Sequence, residues 1–385
     1  MRHFSYINDD MFIVKPMEFN RYSGKKILQY SLGATLYMPS TKDIAKKIIN
    51  KDIDGLTTIA MCFEDAIREE ELQQGEENVL NIINSINNEL KNNKLTQNDI
   101  PLIFLRVRNP HQFREFAKKL NNKSYDVITG FIFPKFNTKN ALEYLEILNK
   151  INDESVDNFI YGMPIIEDEE SLYLETRMSS LIELRNIIDE NKDYILNIRV
   201  GATDFSSKFG IRRRVDNSIY DIRVISNCLS DIVNIFGREG GYVISAPVWE
   251  FFSNQRVLKP TLRKTPFYNR DIEDIRDTIL DRAEDGLIKE VLLDKVNGFI
   301  GKTVIHPSHI KIVNAFQCVT KEEYKDAMMI LDNVGGGVIK GVNGKMNEVN
   351  PHLLWAEKIK LKSMVYGVVK DYDYIKLFDR DRYIR

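Results

Sequence analysis

Several features that would quickly assign a chain are scarce or missing here. Three cysteines, Cys62, Cys228 and Cys318, are scattered over 385 residues. An odd number so dispersed builds neither a disulfide framework nor a zinc site, and points to a reducing cytoplasmic setting. Net charge is only −2, which excludes the polybasic field that gathers nucleic acid or an anionic membrane. No apolar run approaches the roughly 20 residues of a membrane helix. The opening MRHFSYINDD lacks the basic and apolar regions of a signal peptide. There is no internal repeat and no low-complexity tract. What remains is an ordinary globular composition, 43% apolar and 29% charged. Its length accommodates one large α/β domain plus an accessory segment, or two domains.

Within that length, apolar β-branched runs recur at strand size. They are ATLYMPS (34–40), LTTIAMCFED (56–65), PLIFLRVR (101–108), VITGFIFPKF (127–136), NFIYGMPIIE (158–167), ILNIRVGATDF (195–205), YVISAPVWEF (242–251) and GFIGKTVIHP (298–307). Segments of helical period lie between them, among them ENVLNIINSINNEL, ALEYLEILNKI and YDIRVISNCLSDIVNIF. Near-continuous apolar strands alternating with amphipathic helices predict a parallel sheet covered on both faces. Eight such units match a (β/α)₈ TIM barrel in count and size. A doubly wound open sheet is the alternative, but the turn after its first strand, YMPSTKD, holds no glycine for a phosphate loop. The reading is therefore α/β: an irregular N-terminal arm over residues 1–28, a barrel over 29–316, and a C-terminal helical and loop extension over 317–385. The extension carries three successive glycines and an Asn-Gly pair, which mark turns and not a core.

In a parallel barrel, ligands bind where the strands end. Polar residues collect at those ends: Glu64 and Asp65 on the second strand, Arg106 and Arg108 on the third, Lys135 on the fourth. Glu167 closes the fifth, Asp204 the sixth, Glu250 the seventh and His306 the eighth. Glu167 and Asp204 stand 37 residues apart, about one βαβ unit. Such a unit brings both to one sheet edge as a seat for Mg²⁺, with Glu64 and Asp65 bound directly or through water. Arg106 suits a bidentate grip on a substrate carboxylate. The set fits chemistry in which negative charge builds on an oxygen beside a carbonyl. Each residue also has a plain structural role open to it. The acids can cap helices or turns, one of Arg106 and Arg108 can form a structural ion pair, and Lys135 can be a surface residue. Arg212, Arg213 and Arg214 can form a solvated face or receive a phosphate or nucleotide tail.

These motifs resemble the citrate lyase beta-subunit-like, or HpcH/HpaI aldolase, family of (β/α)₈ carbon–carbon bond lyases. The resemblance runs from about residue 33 to 360 and rests on motif order: GATLYMPS, AMCFEDAI, LRVRNP, GFIFPKF, PIIED, GATDFS and GKTVIHPSHIKIVNAF. It implies Mg²⁺ on Glu167 and Asp204, the substrate carboxylate on Arg106, and Glu64 with Asp65 around the metal's waters. It also implies that NGKMNEVNPH corresponds to a C-terminal segment by which an aspartate often reaches a neighbouring subunit's active site in acyl-CoA-using members. Here Glu348 stands at that position, with an extra residue before Pro351. The long insertion between strands six and eight, with its arginine-rich LKPTLRKTPFYNR, is a further departure.

The expected function is a Mg²⁺-dependent carbon–carbon lyase acting on a 2-oxo or 3-hydroxy acid, free or as its CoA or phosphate derivative, in a cytoplasmic homo-oligomer. Glu167 and Asp204 hold the metal, and Arg106 orients the carboxylate. Lys135 adds positive charge, and Glu348 donates a proton from an adjacent subunit. Two rivals are a barrel that transfers phosphoryl or enolpyruvyl groups through Arg212, Arg213 and Arg214, and a non-catalytic partner or regulatory subunit that keeps the barrel as a scaffold.

Overall fold

The computed structural model describes residues 1–155, 158–252, 282–333, 335–341, 346–370 and 376–378. Eight parallel strands form the barrel: β1 (Ala34–Pro39), β2 (Thr58–Cys62), β3 (Leu102–Arg106), β4 (Ile128–Phe133), β5 (Tyr161–Ile166), β6 (Ile198–Val200), β7 (Ile244–Ser245) and β8 (Lys302–Val304). Each pairs with its sequence neighbour, and β8 pairs with β1 through Thr35 and Thr303. A parallel bridge between Ala246 and Lys302 joins β7 to β8 and closes the ring. An open doubly wound sheet is thereby excluded, and all eight apolar runs hold a barrel strand.

A helix follows each strand: α1 (Ala45–Ile49), α2 (Leu72–Lys91), α3 (Pro110–Ala117), α4 (Ala141–Glu154), α5 (Leu174–Glu190), α6 (Arg223–Phe236), α7 (Arg282–Val296) and α8 (Ser308–Ala315). The local reasons are ordinary ones. In α2, Val79, Ile82, Ile83 and Ile86 recur at helical spacing and are buried against the strands. In α3, Asn109 caps the first turn through the Gln112 amide, and Pro110 fills the position where a missing N–H costs nothing. The outward faces of the strands and the helices share one core, with Phe113, Phe131, Phe133 and Tyr144 stacked at its centre. A separate cluster fills the lumen, where Ala60, Phe104, Ile132, Met163 and Ile165 meet.

The two ends of the chain are built into one another. Phe12–Val14 pairs antiparallel with Val368–Val369, which pairs parallel with Val319–Thr320. The N-terminal arm also carries a helix, Lys25–Ser31, and sends Phe19 into the luminal cluster. It is thus more regular than its sequence suggests, and it plugs the end of the barrel away from the strand C-termini. The extension consists of α9 (Lys321–Asp332), α10 (Val349–Tyr366) and a hairpin of Val338–Lys340 with Met346–Glu348. The Tyr366 hydroxyl donates to the Tyr30 carbonyl at 2.6 Å, which fixes the C-terminal end of α10 beside the plug. Gly335, Gly336 and Gly337 all take positive φ, which explains the glycine run before the hairpin. The arginine-rich LKPTLRKTPFYNR stretch lies outside the described residues. Among the described residues, no helix is long and apolar enough to cross a membrane.

Candidate active site

At the C-terminal rim of the strands, residues from four consecutive units converge on Arg106. Its Nη2 lies 2.6 Å from Glu64 Oε2, 3.3 Å from Glu167 Oε1 and 3.4 Å from Asp65 Oδ2. Lys135 Nζ forms an ion pair with Glu64 Oε1 and lies 3.6 Å from Asp65. The turn after β4 contributes more than this side chain. Lys135 has φ +48, a left-handed conformation that costs a non-glycine residue energy. In that conformation its N–H donates to Glu167 Oε1 at 2.9 Å, while Phe136 resumes the ladder to Ile165. The strain is therefore tied to the seating of Glu167.

Gly201 completes that seat. A Cβ at this position would lie 1.9 Å from Glu167 Oε2 and 2.6 Å from its Cβ, so the carboxylate rests directly on the bare backbone. Asp204 occupies the first turn of the helix Ala202–Lys208 and not the end of β6. From there its charge still bears on Glu167 and Lys135.

Electrostatically the cluster is short of positive charge. Four carboxylates, on Glu64, Asp65, Glu167 and Asp204, face the cations of Arg106 and Lys135. Burial pushes the Glu167 carboxyl up to about 8, and although Arg106 opposes the shift, Asp204 adds to it. Burial also raises Glu64, against the pull of Arg106. Asp65 is held low by Glu64, Arg106 and Lys135 despite its own burial. Burial disfavours the charge on Arg106, but the carboxylates, Glu167 foremost, outweigh it and raise its pKa. With all four acids ionised the rim carries a surplus of two negative charges, and the cost of ionising Glu167 in that surplus is what a hard divalent cation would offset. No three of the described His, Cys, Asp and Glu side chains form a ready metal cage. A cation held by Glu167 and Asp204 would complete its shell with water and substrate.

Other residues singled out in the sequence fall elsewhere. Arg108 is structural: it donates to the carbonyls of Phe63 and Ile67 and pairs with Glu69 at 2.6 Å. The arginine triplet does not act as one patch, because Arg213 is buried while Arg212 and Arg214 are exposed. Arg213 is spent on Glu290, Glu250 and the Val248 carbonyl, with its guanidinium over the Trp249 ring. It is thus a structural ion pair and not a phosphate ligand, and Glu250 is its partner. His306 hydrogen-bonds Ser308 at 2.8 Å and stacks on Phe252. Glu348 is exposed at the start of α10, and no ion pair or hydrogen bond among the described residues joins it to the cluster.

Two buried features escaped the sequence reading. Lys302 on β8 pairs with Glu290 at 2.9 Å and Asp294 at 2.8 Å, and the same two acids receive Arg213 and the Tyr220 hydroxyl. This network ties the loops after β6 and β7 to α7. The second is Arg199 on β6, only 1% exposed, whose guanidinium crosses the lumen to Thr35 and Thr303. A charged residue at an inward position of an otherwise apolar strand was the available signal.

Comparison with known proteins agrees with the architecture. A family model described as C-C bond lyase of the TIM-barrel fold matches residues 26–368. No curated protein sequence matches the chain. Among solved structures, CitE from Mycobacterium tuberculosis in complex with magnesium, acetoacetate and coenzyme A is similar at TM-score 0.50 and 16% identity, covering 87% of this chain and 99% of that one. The malate synthase of Haloferax volcanii, in its pyruvate and acetyl-CoA ternary complex, is similar at TM-score 0.50 and 14% identity, over 95% and 96% of the two chains. Its native form with glyoxylate gives TM-score 0.52 at 12% identity, over 75% of each chain.

Proposed function

This chain belongs to the family of C–C bond lyases of the TIM-barrel fold, and on that footing we propose that it breaks, or in reverse forms, a carbon–carbon bond beside the carbonyl of a 2-oxo or 3-hydroxy acid. The observation that carries the reading is the surplus of two negative charges on the strand-end rim, with Glu167 raised to about 8. Glu167 and Asp204 would hold Mg²⁺; the magnesium in the CitE relative supports that cation over other hard ions. When bound, it supplies a Lewis acid for the negative charge that develops on an oxygen beside the carbonyl.

The chain's own residues do the rest. Arg106 holds Glu64, Asp65 and Glu167 in fixed orientation, so the acids need no rearrangement when substrate arrives. Lys135 Nζ, half exposed at the rim, adds positive charge where an enolate would form. Burial raises Glu64 while Asp65 beside it is held low, so the two carboxyls differ in proton affinity and together would serve as the acid/base pair. The reading includes a cytoplasmic homo-oligomer in which Glu348 of one chain serves a neighbour's site.

The test is metal-linked stability. Wild type should melt higher in Mg²⁺, and Glu167→Ala should lose that increment. A variant that responds to Mg²⁺ as wild type does would show that Glu167 is not a ligand.

A further inference from the structure

Beneath the rim lies a cation whose position neither the fold nor the ion-pair network explains. Arg199 and Gly201 share the inward face of β6, so Arg199 sits one luminal layer, about 6.6 Å, below the glycine that seats Glu167. Its guanidinium passes over β7 to the paired threonines of β8 and β1: Nη2 donates to Thr303 Oγ1 at 2.6 Å and Nη1 to Thr35 Oγ1 at 3.3 Å. It stands 5.4 Å from the Tyr37 ring centre. Its Nε is buried without a partner, and no carboxylate among the described residues pairs with it. A guanidinium carries five N–H donors and no means of shedding its charge. Burying one against neutral hydroxyls alone is expensive unless an anion completes it.

Tyr37 is half-buried, its hydroxyl makes no hydrogen bond among the described residues, and it lies in the combined field of Arg199, Arg106 and Glu167. Above it, the Asp65 and Lys135 side chains are 56% and 50% exposed, so the rim opens on that side. Arg106, by contrast, already serves three carboxylates of the protein itself.

We propose that Arg199, oriented by Thr35 and Thr303, is the anchor for the substrate's carboxylate, which enters past Tyr37 to the floor of the mouth and leaves the carbonyl at the rim. The assignment rests on the reading given under Proposed function, and moves the carboxylate grip from Arg106 to Arg199. It also closes the charge count. Four acids and a substrate carboxylate are matched by Arg106, Lys135, Arg199 and a divalent cation. The orientation follows: the carboxylate points into the barrel, and the bond to be broken faces Lys135 and the Glu64–Asp65 pair.

The experiment compares pyruvate with methyl pyruvate, which keeps the 2-oxo group and lacks the charge, by calorimetric titration at saturating Mg²⁺. Wild type should bind pyruvate at least tenfold more tightly. Arg199→Gln should bring pyruvate down to the ester and leave the Mg²⁺-linked rise in melting temperature intact. Arg199→Lys, which keeps the charge without the fork, should weaken pyruvate about tenfold and the ester not at all. Wild type that takes up Mg²⁺ but treats acid and ester alike, or an Arg199→Gln protein that keeps the preference, overturns the anchor while the metal reading stands. Wild type that responds to neither Mg²⁺ nor pyruvate removes that reading and this inference together. Loss of the fold in both variants would make Arg199 a strut and overturn the proposal.

Discussion

Replacing Gly201 with alanine tests the site without touching any charged group. The backbone there, at φ −101 and ψ 77, suits alanine, so the substitution adds no conformational strain. In isolation it would stabilise by about 0.4–1 kcal/mol through the unfolded state. The cost comes from Glu167, whose Oε2, Cβ and Cδ would lie 1.9, 2.6 and 2.9 Å from the new methyl carbon. Because the stem of the side chain is involved as well as its tip, the carboxylate cannot simply swivel and must leave its seat. It then gives up the Lys135 amide at 2.9 Å and Arg106 at 3.3 Å. Charge-assisted bonds of this kind contribute about 1.5–3 kcal/mol each, so losing two against that gain leaves a net loss of about 2–5 kcal/mol. The metal response should suffer more. At a Mg²⁺ concentration one hundred times the dissociation constant, linkage stabilises wild type by about 2.7 kcal/mol. A hundredfold loss of affinity reduces that to about 0.4 kcal/mol. Urea denaturation with and without MgCl₂ reads both quantities. A Gly201→Ala protein with the wild-type Mg²⁺ increment would refute the seating argument.

Three further outcomes are expected. Lys302→Met leaves Asp294 buried without its cation and Glu290 with Arg213 alone, and should cost about 3–5 kcal/mol in a denaturant melt; a loss under about 1 kcal/mol would mean the network is not stabilising. Burial holds His3 down to about 3 and His309 to about 4, so as pH falls below 6.5 the unfolded chain takes up protons that the folded chain refuses. Stability should then decline toward acid by up to about 1.4 kcal/mol per pH unit for each histidine, and His3→Phe should flatten the slope between pH 6 and 4. If Glu348 acts in a neighbouring subunit, mixing inactive Glu167→Ala with inactive Glu348→Gln chains under exchange conditions should restore part of the activity. Mixtures as inactive as their components would confine Glu348 to its exposed position at the start of α10.

The barrel was legible because its causes are local. Strands buried on both faces must be apolar along their whole length, and parallel order then carries Glu64, Arg106, Lys135 and Glu167 to one rim without further information. Features set by distant partners were not legible. Nothing in the run Arg212-Arg213-Arg214 distinguishes its middle member; Glu290, 77 residues on, does so by burying it. The N-terminal arm looks irregular because the strand that orders Phe12–Val14 is Val368–Val369, at the far end of the chain. Asp204 was read at a strand end, but β6 stops at Val200, and the acid sits a turn into the next helix. Lys135 gave no sign of its left-handed backbone, since only the demand of Glu167 for an N–H requires it.

The two buried charge clusters of this molecule show what separates structure from chemistry. Around Lys302, every charge has an opposite within the protein. Arg213 meets Glu250 and Glu290, Lys302 meets Glu290 and Asp294, and Tyr220 donates to Asp294 at 2.8 Å. Such a set is complete without a ligand, and its contribution is to hold loops. The rim departs from that rule in three places. Glu167 is buried with more acid than base around it, Lys135 keeps a costly backbone conformation to hold that acid, and Arg199 lies buried with two hydroxyls and the Tyr37 ring for partners but no carboxylate among the described residues. Each is unfavourable for folding taken singly, and on the proposed reading a divalent cation would relieve the first and a carboxylate the third. If that reading holds, the stability that this region withholds from the folded chain becomes affinity for metal and acid together, and the two should bind more tightly in each other's presence than alone.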